Sequence, residues 1–117
     1  MAGDAVLARL QDISSAIDGI KQAMHGISLE SFVASWTLKH AAQRALEIIS
    51  EASRHLPAEM KDRYPNTDWR AMAAIGNHLR HAYQRVDDRI VFDVVQHDLA
   101  ALEDIVRAEI LALTGKP

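Results

Sequence analysis

The sequence has 117 residues, a formal net charge of −3, 49% hydrophobic residues and no cysteine. This balance is typical of one globular domain over residues 1–117, and the absence of cysteine excludes disulfides and thiolate metal sites. The acidic balance argues against a protein that binds nucleic acid by bulk electrostatics, because such proteins carry a basic excess. The absence of cysteine suits a reducing cytosol, so we expect a cytoplasmic protein. No apolar run approaches the roughly 20 residues that span a bilayer, so we expect no membrane contact.

Two helices are predicted in the first half of the chain. Apolar residues recur at helical spacing over about residues 4–24, and Gly26 can end that helix in a left-handed cap conformation. Ser28 is a good N-cap for a second, long helix. We expect this helix to run to about Leu56, because Pro57 follows it and disfavours further helix.

A short helix and a fourth helix are predicted next. Residues 57–63 begin with proline, which the first turn of a helix tolerates. After a turn, Asn66 or Thr67 is expected to cap a fourth helix, which contains apolar residues at helical spacing and continues to about Asp87.

The last predicted helix runs from about Arg89 to Leu113, with Asp88 as its cap and Gly115 as its terminator. No stretch of the sequence shows sustained alternation with a period of two, so we expect no strands. Short loops between long helices favour antiparallel neighbours. The predicted fold is therefore all-α, an up-and-down bundle of four to five helices.

Polar and titratable residues are concentrated near the end of the fourth helix. Asn77, His81 and Arg85 are spaced by four residues and fall on one helix face, with His78 and Arg80 close by. Histidine can move a proton near neutral pH, and arginine presents a planar donor fork to phosphate oxygens. Together with an orienting amide, these groups suit phosphodiester cleavage without a metal, in which arginine stabilises the developing phosphorane charge.

Two other interpretations of this segment stay open. A helical face rich in histidine is often only a solvated surface. His78 and His81 are spaced so that they could share a metal ion, but no carboxylate lies on the matching face within a turn and the arginines would repel a cation. We therefore expect no metal or cofactor.

Other side chains have less specific predictions. Asp87 is expected to cap a helix. His40 and Arg44 form an i, i+4 pair that could reach a cleft but fits an ordinary exposed pair, and Trp36 and Trp69 are expected to be core residues or dimer anchors. Three acidic residues are expected to form a solvated face: Glu103, Asp104 and Glu109.

Several blocks of the chain, in their order and spacing, resemble HepT-like proteins of the HEPN superfamily of helical ribonucleases. The resemblance extends from about residue 5 to residue 113. The blocks are residues 44–52 (RALEIISEA), Leu56-Pro57, Tyr64-Pro65, Trp69-Arg70 and residues 77–87, which read Asn-x-Leu-x-His-Ala-Tyr-x-x-Val-Asp.

The family pattern is an arginine, four to six residues, and then His-x-Tyr. His81 and Tyr83 match the second part. Positions 74–76, where the arginine would fall, hold Ala, Ile and Gly. Arg80, one turn beyond position 76, or Arg85 could supply the guanidinium instead.

The resemblance implies a HEPN-like bundle that dimerises, with a composite cleft between two motif helices. It implies a toxin that cleaves RNA as an endoribonuclease and pairs with a nucleotidyltransferase antitoxin, which silences it by transferring AMP to the motif tyrosine, here Tyr83. Such a modification would bring bulk and negative charge into a phosphate-binding cleft. His81, Asn77 and Arg80 would be the catalytic residues, with His78 and Arg85 as further cleft residues.

The missing arginine keeps two non-enzymatic alternatives open. The chain could be a degenerate HEPN dimer that binds the nucleotidyltransferase and accepts its modification. It could also be the substrate-binding subunit of a two-part nucleotidyltransferase.

Overall fold

The computed structural model describes residues 2–81 and 87–116, except for the side chains at positions 2, 77, 78, 80 and 81. In the described part no strand occurs, which confirms the all-α prediction. No helix there is long and apolar enough to cross a membrane. The elements in chain order are α1 (Ala2–Met24), α2 (Leu29–Ala34), α3 (Trp36–Arg54), α4 (Ala58–Asp62), α5 (Trp69–His81), α6 (Asp88–Asp93), a π-helical turn (Val94–Asp98) and α7 (Leu99–Thr114).

Four long helices pack into the bundle. α1 packs against α3 and α7, and α3 also packs against α5. The end of α1 meets the start of α7, where Lys21 Nζ lies 2.9 Å from Glu103 Oε1, so these two helices run antiparallel. The core has contributions from every helix and from Leu56: Leu10, Ile13, Ile17, Ile20, Met24, Phe32, Ala42, Ala45, Leu46, Ile49, Ala52, Leu56, Met60, Leu79, Val91, Val95, Leu99, Leu102 and Val106.

The predicted long second helix is wrong at Ser35, where the chain breaks into α2 and α3. Ser28 caps α2 as predicted, since its Oγ accepts a hydrogen bond from Ser31 N at 3.1 Å. Ser35 has extended backbone angles (φ −104, ψ 107), and its Oγ accepts from Leu38 N at 3.1 Å. A serine that satisfies a free amide of a new helix stabilises the break.

The caps of α5 and α6 each lie one residue away from the predicted position. Asp68, and neither Asn66 nor Thr67, caps α5 through a 2.9 Å bond that its Oδ1 accepts from the backbone of residue 71. Asp87, not Asp88, caps α6 by accepting from the backbone of residue 89 at 2.9 Å. The prediction that Asp87 is a capping residue is thereby confirmed.

The predicted last helix is interrupted by the π-helical turn. There the Leu99 amide donates to the Val94 carbonyl, five residues back, instead of the residue four back. α7 then ends at Gly115 as predicted, with φ of 70°, in the left-handed region that glycine adopts without strain.

Glu109 is buried, so its assignment to a solvated face is wrong. Its carboxylate accepts hydrogen bonds from Arg63 Nη2 and from the Tyr64 hydroxyl, the latter at 2.6 Å. This bond and partial burial raise the pKa of Tyr64 above its usual 10.0. Glu103 is half-buried and Asp104 is exposed. The hydrogen bonds of Arg63 and Tyr64 to Glu109 hold the segment after α4 against α7.

The two tryptophans differ in their surroundings. Trp69 packs against the core, as predicted. Trp36 is 71% exposed, so it is not a core residue, and the alternative that it anchors a dimer stays a prediction.

Candidate functional site at the end of α5

Hydrogen bonds between α3 and α5 position the helix that contains the predicted site. Gly76 is buried, and its backbone amide lies 3.1 Å from Ser50 Oγ. Ser50 Oγ in turn donates to the Ala73 carbonyl at 2.8 Å, and the Arg54 guanidinium donates to the same oxygen at 3.0 and 3.2 Å. These bonds fix the two helices side by side at close range.

Position 76 has no room for a side chain. A Cβ built there would lie 2.6 Å from Ser50 Oγ and 2.7 Å from Ser50 Cβ. Such distances are well below van der Waals contact, so even alanine requires the Ser50 side chain or the helices to move. The position where the family pattern can have arginine is therefore part of a helix contact in this chain.

The same contacts set the direction and register of the two helices. Ser50 lies against Gly76, and Arg54 lies against Ala73, so α3 and α5 run antiparallel. With equal rise per residue, positions 45 and 46 of α3 come level with His81 at the end of α5. Residues 36–44 of α3 therefore extend past the end of α5.

All the predicted site residues belong to the end of α5 or to the segment that follows it. Positions 77, 78, 80 and 81 are in the last turns of α5. By helical spacing, Asn77 and His81 are one turn apart, and Arg80 is one turn beyond Gly76. The side chains of Asn77, His78, Arg80 and His81 lie outside what the structure describes.

Tyr83 and Arg85 also lie outside the described residues. The described residues stop at His81 and resume at Asp87, the cap of α6. Lys39 Nζ of α3 lies 3.7 Å from Asp88 Oδ2 of α6. The start of α6 is therefore next to the start of α3, the same end of the bundle as His81.

The predicted pair of His40 and Arg44 is exposed on the first turns of α3. The sequence analysis did not connect this pair with Trp36, but the imidazole of His40 stacks on that indole with ring centroids 4.0 Å apart. The spacing of four residues was the available signal. Across residues 2–81 and 87–116, apart from the five undescribed side chains, no group of three potential metal ligands occurs.

Comparison with known proteins decides the family. The model of the family described as "Ribonuclease HepT-like" matches residues 13–109. The chain belongs to this family. The match confirms the resemblance found in the sequence and covers α5, His81 and Tyr83.

Individual relatives of this HepT-like chain agree with the family. A protein of Thermococcus cleftensis named "Probable ribonuclease HepT" is 38% identical over 80% of this chain and 86% of its own length. A protein of Caldanaerobacter subterraneus subsp. tengcongensis is 35% identical over 84% of this chain and 84% of its own length. A protein of Methanocaldococcus jannaschii is 30% identical over 84% of this chain and 90% of its own length. The names of both assign an RNase activity provisionally. No solved structure gives a match.

Proposed function

We propose that this HepT-like chain is the toxin of a toxin–antitoxin pair, a metal-independent endoribonuclease that acts as a homodimer in the cytoplasm. The observation that supports this most directly is the family match over residues 13–109, which includes the His-x-Tyr pair at His81 and Tyr83. The relatives' names refer to ribonuclease activity. In the homodimer, the site is composite, with α5 of each subunit facing that of the other.

In the proposed reaction, His81 takes the proton of a ribose 2′-hydroxyl, whose oxygen then attacks the adjacent phosphorus. The P–O2′ bond forms, the P–O5′ bond breaks, and the proton is returned to the leaving O5′. The products are a 2′,3′-cyclic phosphate and a 5′-hydroxyl, and no water or metal is consumed. Asn77 orients the substrate.

A guanidinium must still stabilise the charge on the phosphorane. Position 76 cannot supply it, because Ser50 occupies the space its side chain would need. We assign this role to Arg80, which is one turn from position 76, with Arg85 as the alternative. His78 is assigned to the rim of the cleft.

Silencing is proposed to occur at Tyr83. A nucleotidyltransferase antitoxin transfers AMP from ATP to the phenol oxygen and releases pyrophosphate. The added phosphate repels the RNA phosphate from the cleft, and the added nucleoside blocks it sterically.

The second candidate function is a degenerate HEPN dimer that binds its nucleotidyltransferase or provides it with a substrate-binding subunit. The structural observation in its favour is the tight contact of Gly76 with Ser50, which leaves no room for an arginine at position 76. In that case, Tyr83 would still accept AMP, but RNA would not be cut.

The deciding experiment is cleavage of single-stranded RNA in EDTA by the purified chain, with its unmodified state verified by intact mass. His81→Ala and Arg80→Ala are expected to abolish or strongly reduce cleavage. His55→Ala is the matched control, because His55 is an exposed histidine at the opposite end of α3. If Arg85→Ala and not Arg80→Ala abolishes cleavage, the guanidinium belongs to Arg85. No cleavage by the unmodified wild type would favour the degenerate dimer.

A separate experiment tests silencing and assembly. After co-expression with a minimal nucleotidyltransferase, the intact mass of the wild type should rise by one or more AMP groups, and that of Tyr83→Phe should not. Sedimentation should give a dimer. A monomer, or an AMP group on Tyr83→Phe, would contradict the composite site or the acceptor assignment, respectively.

A further inference from the structure

A row of exposed side chains follows one face of α3 at the end of the bundle that contains His81. Trp36, His40 and Arg44 are spaced by four residues, so they lie one above the other on the helix. Trp36 is 71% exposed, and the Arg44 side chain is 72% exposed. His40 is also exposed.

The indole of Trp36 is held in one orientation. The imidazole of His40 stacks on it with ring centroids 4.0 Å apart and an angle of 29° between the planes. His40 Nδ1 lies 2.7 Å from the Trp36 carbonyl oxygen, which fixes the imidazole. One face of the indole is covered in this way, and its large remaining exposure leaves the other face open to solvent.

Trp36 lies on the α5 side of α3, and the row turns by about 40° at each step. Arg44 therefore faces α1, where it lines a groove with Arg9 and Asp12. Trp36 and Arg54 are 18 residues apart, which is about five helical turns, so they point in nearly the same direction. Arg54 bonds to the Ala73 carbonyl of α5. Because positions 45 and 46 come level with His81, Arg44 is near the level of the end of α5, and Trp36 lies about 14 Å beyond it along the helix axis.

We propose that the open face of Trp36 stacks on a base of the single-stranded RNA and that Arg44 contacts a neighbouring phosphate; this rests on the proposed function as an RNA-cleaving enzyme. Every base has a π-face, so one fixed aromatic ring binds RNA with little sequence preference. An acidic chain cannot rely on bulk electrostatics for RNA, so local contacts of this kind matter more. The exposed pair of Arg44 with Glu47, at 3.4 Å, is weak enough for a phosphate to replace.

A second copy of the chain is the competing occupant of this surface. Val33 of α2 and Ile90 of α6 are 44% and 60% exposed, and such apolar side chains occur at protein interfaces. The centre of such an interface is usually depleted of charged residues. The row instead joins one aromatic ring to an imidazole and a guanidinium, a combination that suits a base and a phosphate better.

The test is equilibrium binding of a short fluorescein-labelled 2′-O-methyl RNA, which lacks the 2′-hydroxyl needed for cleavage. Trp36→Leu keeps apolar bulk without a stacking ring and should raise the Kd about five- to a hundredfold. Trp36→Phe keeps a ring and should stay within about threefold of the wild type. An abasic ribose-phosphate oligomer should bind equally to wild type and Trp36→Leu. Arg44→Ala should lower the slope of log Kd against log salt by about 0.7.

Equal RNA affinity of Trp36→Leu and wild type would overturn the proposal. A loss of dimer in sedimentation for Trp36→Leu, with unchanged RNA binding by the remaining dimer, would overturn it in favour of a contact between copies. Failure of the proposed function gives a different pattern, since the wild type then binds the uncleavable RNA through Trp36 but cuts no RNA. If the wild type cuts RNA, and Trp36→Leu cuts and binds it equally well, the stacking proposal alone is wrong.

Discussion

Replacing Gly76 by alanine should destabilise the protein, although alanine is the better helix former. Gly76 is inside α5, where the exchange would by itself favour folding by about 1 kcal/mol. The new Cβ would, however, lie 2.6 Å from Ser50 Oγ on the neighbouring helix. The sign of the effect therefore depends on the cost of moving Ser50 or α3 away from the new Cβ.

The structure indicates that moving Ser50 or α3 costs free energy. Moving the Ser50 side chain breaks the 2.8 Å bond that it donates to the Ala73 carbonyl, and moving the helices opens the core that they share. Overpacking costs about 1–3 kcal/mol, and a lost hydrogen bond costs about 1 kcal/mol. After the helix gain is subtracted, Gly76→Ala should lose about 1–3 kcal/mol in the free energy of unfolding.

Gly19→Ala is the matched control. Gly19 is an exposed glycine inside α1, and a Cβ there meets nothing within 4 Å. This variant should gain about 0.5–1 kcal/mol. Urea unfolding followed by circular dichroism measures both variants, and unchanged m-values would assign the shifts to stability.

A double variant isolates the contact itself. Ser50→Gly removes both close atoms, and the next nearest atom to the new Cβ is Glu47 Cα, at 3.7 Å. The Ala73 carbonyl keeps its bonds from Arg54. Gly76→Ala should therefore cost about 1–2 kcal/mol less in the Ser50→Gly background than in the wild type. If Gly76→Ala stabilises the protein as Gly19→Ala does, the close approach of α3 and α5 at position 76 is wrong.

Two further predictions concern single hydrogen bonds. Tyr64→Phe removes the hydroxyl that donates to Glu109 and should cost about 1–2 kcal/mol. Because the pKa of Tyr64 is raised above 10.0 in the folded protein, this contribution is complete below pH 10.0 and is lost as the pH rises through the folded pKa. In urea titrations at increasing pH, the stability advantage of the wild type over Tyr64→Phe should therefore disappear. A difference that stays constant with pH would contradict this. Ser35→Ala removes the cap bond to Leu38 and should lower the free energy of unfolding by about 1 kcal/mol, whereas Thr37→Ala, an exposed neighbour, should change it by less than about 0.5 kcal/mol.

The order and type of the helices could be predicted from the sequence because they depend on local patterns. The apolar stripe over residues 4–24 predicted the buried face of α1, and Gly26 and Gly115 have the positive φ expected of helix ends. The caps of α5 and α6 were each predicted one position away from Asp68 and Asp87, although Asp87 was itself expected to cap a helix. Adjacent polar residues compete for a cap on nearly equal terms, so helix boundaries are less certain than helices.

The motif at His81 and Tyr83 was also recognised from the sequence, and the family match supports it. The sequence further showed that position 76 lacks arginine. It could not show why, because Ser50 is 26 residues away in the chain and meets Gly76 only when α3 lies against α5.

Two further features were decided by the tertiary structure. Glu109 was predicted to be a surface residue, but in the fold the segment after α4 places the Tyr64 hydroxyl against its carboxylate and the residue is buried. Trp36 was predicted as a core residue or a dimer anchor, but the break at Ser35 starts α3 at this position and leaves the indole exposed. Local periodicity determines which residues become helical and which face is apolar, whereas burial and polar pairing depend on residues that are distant in sequence and adjacent only after the helices pack.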